Sequence, residues 1–84
     1  MIKLELLGGV KKVVGRSSVI LEETRLPICE ILMLLRRNVN EPGVLALNNI
    51  LIAVNGVEYS SLDGTDTVVE SGDTVTIVTV AHGG

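Results

Sequence analysis

Apolar and polar positions alternate at the start of the chain. Residues 2–6 read Ile-Lys-Leu-Glu-Leu, a pattern that predicts a strand with one face in the core. The Gly8-Gly9 pair that follows suits a tight turn, because glycine tolerates positive backbone angles. Residues 10–16 then predict an irregular hairpin, and residues 17–22 predict the returning strand.

One helix is predicted over residues 25–37. Thr24 can cap it, and Pro27 is acceptable in a first turn, where its missing N–H is not needed. Four apolar residues recur at the spacing of one helical face: Ile28, Ile31, Leu32 and Leu35. This face is expected to pack on the sheet.

The chain after the helix alternates between turns and short strands. Residues 38–43 predict a loop, and residues 44–47 fit either a short strand or an apolar loop packed on the core. Residues 50–54 predict a strand that turns at Asn55-Gly56 into a short partner strand over residues 57–60.

Two more turns and a final strand complete the prediction. Residues 62–66 fit a turn or one round of helix, residues 70–73 fit a turn, and residues 75–80 fit the last strand. The order strand, strand, helix, strand, short strand, strand predicts an α+β fold. The expected core residues are Ile2, Leu4, Ile28, Ile31, Leu32, Leu35, Ile52, Val75 and Ile77.

Composition narrows the class of protein. The 84 residues are 46% hydrophobic, mostly branched aliphatics that suit strands, and they form one domain, residues 1–84. No apolar run is long enough to span a membrane, and the start lacks the apolar core of a signal peptide, so a cytoplasmic location is expected. The lone Cys29 excludes an internal disulfide and a cysteine-built metal site. No bound cofactor or metal is expected.

Charge is unevenly distributed along the chain. All seven basic residues lie at or before Arg37, whereas residues 38–84 carry six carboxylates and no base. Such a surface should repel nucleic acid, which proteins bind by neutralising phosphates. It could attract a basic protein partner, or it could simply keep an apolar domain soluble.

The last four residues carry the candidate chemistry: Ala81, His82, Gly83 and Gly84. A Gly-Gly end adds nothing to stability, but without side chains it can enter a narrow slot beside a nucleotide. Adenylation would convert the Gly84 carboxylate into a mixed anhydride open to nucleophilic attack. The alternative is an ordinary frayed terminus.

The final strand also predicts a surface next to this tail. If Val75 and Ile77 point inward, then Thr76, Val78 and Val80 point outward and form a docking face for a partner. The alternative is that scattered surface valines have no role.

These features together resemble a known family. The segment ILIAVNGVEY, the turn ESGD and the end AHGG are similar to the ubiquitin-like sulfur carriers, which include the small subunit of molybdopterin synthase, the thiamine sulfur carrier and the ubiquitin-related modifier. The His before the glycines and the upstream EPGVL are most similar to the ubiquitin-related modifier and its archaeal small-modifier counterparts. Asn55-Gly56 and Tyr59 lean instead toward the molybdopterin synthase subunit, although that subunit usually has prolines where this chain has Val78-Thr79-Val80.

The resemblance implies a β-grasp fold, with a mixed sheet of four or five strands wrapped over one helix and an exposed tail over residues 81–84. It implies a monomeric carrier, not an enzyme, whose Gly84 is adenylated by an ATP-dependent, ubiquitin-activating-type enzyme. A sulfurtransferase persulfide then yields a thiocarboxylate that delivers sulfur, for example to tRNA uridine. Alternatively, a target-protein lysine attacks Gly84 and forms an isopeptide bond, with the proteasome as a possible reader.

Further residues have candidate roles. Ala81 and His82 would be recognised with the tail. The only lysines, Lys3, Lys11 and Lys12, could accept another modifier to form a chain, or they could simply be solvated charges. Two other functions stay open. The chain could be an obligate molybdopterin synthase subunit whose tail inserts into the large subunit, or a plain β-grasp interaction domain.

Overall fold

The computed structural model describes residues 1–80 of the chain. Its elements are the strands β1 (Ile2–Leu7), β2 (Ser18–Leu21), β3 (Arg25–Pro27), β4 (Ile50–Val54), β5 (Val57–Glu58), β6 (Val68–Glu70) and β7 (Thr74–Thr79), and the helices α1 (Gly9–Val14) and α2 (Ile28–Arg37). Four short 3-10 helices occupy Pro42–Leu45, Leu47–Asn49, Tyr59–Ser61 and Gly64–Asp66.

Five strands form a mixed sheet in the order β2-β1-β7-β4-β5. The central pair, β1 and β7, is parallel, and the other neighbours are antiparallel. Helix α2 packs its apolar face on this sheet, and all nine expected core residues are buried. The predicted architecture, a β-grasp sheet over one main helix, is therefore confirmed.

The short helix α1 replaces the hairpin predicted for residues 10–16. Gly8 has φ 60° and ψ −134°, which lets the chain leave β1 and turn directly into a helix. Val10 is fully buried, and Gly15 ends the helix in the left-handed region with its N–H on the Lys11 carbonyl at 2.8 Å. The helical spacing of three valines in this segment was the signal that the hairpin interpretation missed.

Helix α2 begins at Ile28 instead of residue 25, so this boundary was predicted wrongly. The residue before a proline is disfavoured in the helical region, and Leu26 instead pairs with Val69 as part of the two-stranded sheet β3-β6. Pro27 is the N-cap with φ −74° and ψ 154°. Thr24 does not cap the helix; its carbonyl accepts the Ser71 N–H at 2.9 Å.

Other boundaries also differ from the prediction. Residues 44–47 lie in two 3-10 turns joined at Ala46, and Leu45 is fully buried, so the loop alternative holds and the strand does not. The partner strand is limited to Val57–Glu58, and β6 was not predicted as a strand. The Asn55-Gly56 turn is confirmed, with φ of 50° and 83° at its two residues, as in a type I′ hairpin.

Candidate carrier site at the C-terminal end of the sheet

Strand β7 carries the chain to the edge of the sheet from which the C-terminal residues extend. The last described residue, Val80, donates its N–H to the Asn49 carbonyl at 2.8 Å, so pairing with the segment before β4 continues to that point. The predicted reacting and recognition residues, Ala81, His82, Gly83 and Gly84, lie outside the described residues. The described part of the site ends at Val80, the base of this tail.

A pair of glycines holds the end of β7. The Gly9 N–H donates to the Thr79 Oγ1 at 2.9 Å. A Cβ added at Gly8 would lie 2.8 Å from the Thr79 Oγ1, and one added at Gly9 would lie 2.8 Å from the Thr79 Cγ2. Both positions must therefore remain glycine for α1 to pack this closely against Thr79 at the end of β7.

The outer face of the sheet carries an apolar row next to this exit. The strand register places Val78 between Leu7 on β1 and Leu51 on β4. Their neighbours on the inward face, including Ile77, are buried, so the row faces outward. Leu7 is 47% and Leu51 48% exposed, while Val78 is half-buried between them. We call these three residues the apolar row.

The predicted docking residues contribute unequally to this face. The alternation of β7 is as predicted, since Val75 and Ile77 are fully buried and Thr76, Val78 and Val80 are half-buried. Thr76 lies one row further from the tail, between Glu5 and Ala53. Sequence reasoning missed Leu7 and Leu51, the more exposed members of the row. Their signal was an apolar residue at an outward position of each neighbouring strand.

The three lysines lie at both ends of the sheet. The Lys3 Nζ is 3.5 Å from the Glu5 Oε1, and its side chain is 51% exposed at the end of β1 away from the tail. Lys11 and Lys12 are exposed on α1, next to the Gly9–Thr79 contact. All three amines are accessible, and two of them lie at the end from which the tail extends.

The opposite end of the sheet is closed by a polar network around Asp73. The Asn55 side-chain amide donates to the Asp73 Oδ1 at 2.9 Å, and the Glu70 N–H donates to the Asp73 Oδ2 at 2.8 Å. These two hydrogen bonds hold the pKa of Asp73 below its usual value of 3.8. The bond from the Glu70 N–H has the larger effect, and the bond from the Asn55 amide has the smaller one. This network joins the β4-β5 turn to the turn that precedes β7. The carboxylates of Glu70 and Asp73 therefore lie at the end of the sheet opposite the tail.

Within residues 1–80, no three His, Cys, Asp or Glu side chains come together in a group that could hold a metal ion. Cys29 is exposed on α2 and is a free thiol that forms no disulfide. None of the helices in the same range has the length and apolar character needed to cross a bilayer.

A mixed five-stranded sheet over one main helix, with its last strand leading to a Gly-Gly end, defines a ubiquitin-like β-grasp protein of the sulfur-carrier and modifier class. The sequence profile of the ThiS family matches residues 4–84, almost the whole chain and including the two terminal glycines. The chain belongs to the ThiS family. The comparison with curated proteins gave no match.

Solved structures show the same fold at low sequence identity. Small archaeal modifier protein 1 from Methanosarcina acetivorans is 18% identical with a TM-score of 0.81, over 99% of this chain and 95% of that one. A chain of the BexX/CysO complex from Amycolatopsis orientalis is 19% identical with a TM-score of 0.77, over the full length of both chains. Urm1 from Trypanosoma brucei is 24% identical with a TM-score of 0.71, over 99% of this chain and 94% of that one.

Proposed function

We propose that this chain is a cytoplasmic carrier and modifier protein that is activated by ATP-dependent adenylation of the Gly84 carboxylate. The observation that carries the proposal is the ThiS-family match, which extends through the terminal Gly83-Gly84. It is supported by the exposed apolar row beside the base of the tail, where an activating enzyme must hold the protein. The chain is the substrate of this reaction and not its catalyst.

The chemistry begins at the C-terminal carboxylate. A Gly84 oxygen attacks the α-phosphorus of ATP bound to the activating enzyme, releasing pyrophosphate and forming an acyl-adenylate. The role of this chain is to present a narrow, side-chain-free end. The Gly9–Thr79 contact and the Val80–Asn49 hydrogen bond fix where that end starts.

Two fates are open to the activated end. The terminal sulfur of a sulfurtransferase persulfide attacks the acyl carbon, expels AMP and forms an acyl disulfide. A second thiol then attacks the sulfurtransferase sulfur of the S–S bond that the persulfide brought, which forms a disulfide and releases the thiocarboxylate on Gly84. Alternatively, a lysine amine of a target protein attacks the same carbon, expels AMP and forms an isopeptide bond. We propose both fates, with sulfur passed on to an acceptor such as tRNA.

Removal of the Gly83-Gly84 pair tests the proposal. The truncated chain should support no ATP–pyrophosphate exchange by the activating enzyme of the same organism, since the reacting carboxylate is displaced. Its circular dichroism melt should match that of the intact chain, because the described core ends before residue 81. Exchange that survives the truncation would contradict the assignment of Gly84.

Conjugation can be read out separately on target proteins. The last basic residue is Arg37, so trypsin leaves a very long remnant on a modified lysine. Cleavage after aspartate is better suited, because Asp73 is the last acidic residue and the remnant becomes residues 74–84. Target lysines that carry this remnant identify a protein modifier. Their absence, with thiocarboxylate present, identifies a sulfur carrier alone.

A further inference from the structure

Positive charge collects at the end of the fold from which the tail extends. Five of the seven basic residues lie there, on α1, on the turn after it and on the last turn of α2. We call them the cationic end: Lys11, Lys12, Arg16, Arg36 and Arg37. The sequence order conceals this arrangement, because all five precede residue 38, whereas the tail is the last part of the chain.

The topology shows why these residues share one end with the tail. Strands β1 and β7 are parallel, so α1 follows β1 at the same edge where β7 ends. The Leu6 N–H donates to the Ser17 carbonyl at 2.8 Å, which keeps neighbouring Arg16 at this edge. Arg36 donates from Nε and Nη2 to the Leu45 carbonyl, at 3.2 and 2.7 Å, in the segment that leads to Asn49 beside Val80.

The remaining surface has the opposite sign. Among the charged side chains of residues 1–80, the cationic end holds five cations and one carboxylate, Glu41, which lines a groove with Lys12. The rest holds two cations and nine carboxylates, of which Glu23 and Glu30 line a groove that Arg37 borders. The protein thus has a net positive tail end despite its formal charge of −3. A six-residue strand spans about 20 Å, roughly twice the Debye length at 0.1 M salt. A partner at the tail end is therefore largely screened from the carboxylates at the opposite end of the sheet. Glu5 and Glu58 lie nearer, in the row that contains Thr76, and Glu5 is paired with Lys3.

The cations at this end are available to a partner. In the described part of the chain the one ion pair joins Lys3 to Glu5, far from the tail. Lys11, Lys12, Arg16 and Arg37 are all exposed. They are divided among α1, the turn after it and the end of α2, and Arg36 is committed to a carbonyl, so the five do not converge on a single point as a phosphate pocket requires.

We propose that the cationic end docks on an acidic protein surface, namely the rim around the nucleotide site of the activating enzyme. The inference rests on the proposed function, which requires an enzyme to approach the tail. The apolar row reaches the same end on the outer face of the sheet. A partner that approaches this end therefore meets an apolar contact with charged residues at its margin, as is usual in protein interfaces. Charges at a rim act mainly on the rate of association.

Nucleic acid is the weaker candidate for this surface. The cationic end has no aromatic side chain on which a base could stack, since the only aromatic residue, Tyr59, lies beyond β5. The carboxylates over the rest of the surface also oppose a long polyanion. A protein partner whose acidic groups are confined to one rim contacts only the cationic end and avoids this repulsion.

Charge reversal with a matched control tests this inference. The double variant Lys11→Glu with Lys12→Glu should lower kcat/KM for ATP–pyrophosphate exchange about tenfold at 50 mM NaCl, and the difference from the native chain should shrink toward 300 mM NaCl. Arg25→Glu is the control, because Arg25 is an exposed cation at the opposite end, paired with Glu70 in the β3-β6 register. It should leave kcat/KM within about twofold. Lys11→Arg with Lys12→Arg should retain native kcat/KM, which separates charge from any need for a lysine amine.

The outcomes separate this inference from the proposed function. If the native chain is activated but the double Glu variant matches it at low salt, the inference is wrong and the proposed function stands. Arg25→Glu changes the net charge by −2 and the double Glu variant changes it by −4. A loss per unit of charge that is the same in both variants would also overturn the inference, because net charge alone would then account for both. A third outcome would also overturn the inference: the native chain binds total tRNA at 50 mM NaCl and the double Glu variant does not. The surface would then be assigned to nucleic acid instead. A native chain that is not activated at all contradicts both.

Discussion

Replacing Leu51 with Asp should disrupt activation without unfolding the protein. Leu51 is 48% exposed on the outer face of β4, opposite Val78 and beside the end of the sheet that carries the tail. An exposed leucine can be replaced by a charge at little cost to the core. It is a sharper probe than Val78, whose half-buried side chain also packs within the sheet.

The expected loss of binding free energy follows from how far an interface would cover the Leu51 side chain. Covering the exposed half of a leucine is worth about 1 kcal/mol, since full burial of such a side chain contributes about 1.5–3 kcal/mol. An unpaired polar group in the same contact adds a desolvation cost of about 1–3 kcal/mol, and an ionised carboxylate adds at least that much. The total is therefore at least about 2 kcal/mol, which corresponds to a loss of roughly 30-fold or more in affinity.

Ile20→Asp is the matched control. Ile20 is 50% exposed on the same face of the sheet, on β2 opposite Lys3 and therefore at the end away from the tail. ATP–pyrophosphate exchange at sub-saturating carrier should fall strongly for Leu51→Asp and stay near the native rate for Ile20→Asp, with similar melting curves for both. Native exchange by Leu51→Asp, or an equal loss in both variants, would refute the docking face at the tail end.

Two further predictions concern the scaffold around the site. Gly9→Ala should destabilise the fold by about 1–3 kcal/mol, because its Cβ would lie 2.8 Å from a threonine methyl, whereas Gly43→Ala, with nothing within 4 Å, should be close to neutral; equal thermal melts would contradict this. Asp73→Asn should lower the melting temperature near neutral pH. The pKa of Asp73 is lowered in the folded state, so its ionised form stabilises the fold above the unfolded value of 3.8, and this contribution disappears as the pH falls through the folded pKa. The gap between native and variant melting temperatures should therefore close in acid, and a gap that is constant from about pH 6 to below pH 3 would refute the assignment.

The sequence was most informative where one periodicity governs a whole element. Strand alternation and the helical face of α2 predict the core correctly, because the periodicity of each element places its apolar residues on one face, and that face is the buried one. The same alternation on β7 gives the outward direction of Val78. Family resemblance, carried by the segments around Asn55-Gly56 and the Gly-Gly end, is confirmed by the ThiS-family match.

The missed features depend on contacts between distant parts of the chain. Helix α1 is six residues long and is held by its packing against Thr79, seventy positions from Gly9, so local propensity alone does not specify it. Strand β3 exists because β6 pairs with it, and neither is long enough to be recognised alone. The apolar row and the cationic end likewise require the parallel pairing of β1 with β7 before their members become neighbours.

The central claim is that the Gly84 carboxylate is the reacting group, and the mass of the native protein tests it most directly. Intact-mass analysis of the chain purified from its own organism, followed by fragmentation of residues 74–84, locates any change to a single residue. The account predicts a species heavier by the exchange of one oxygen for one sulfur, with the change on Gly84, or the same residue joined to a target lysine. A chain found only with an unmodified C-terminal carboxylate, both alone and in every complex recovered with it, would contradict the account.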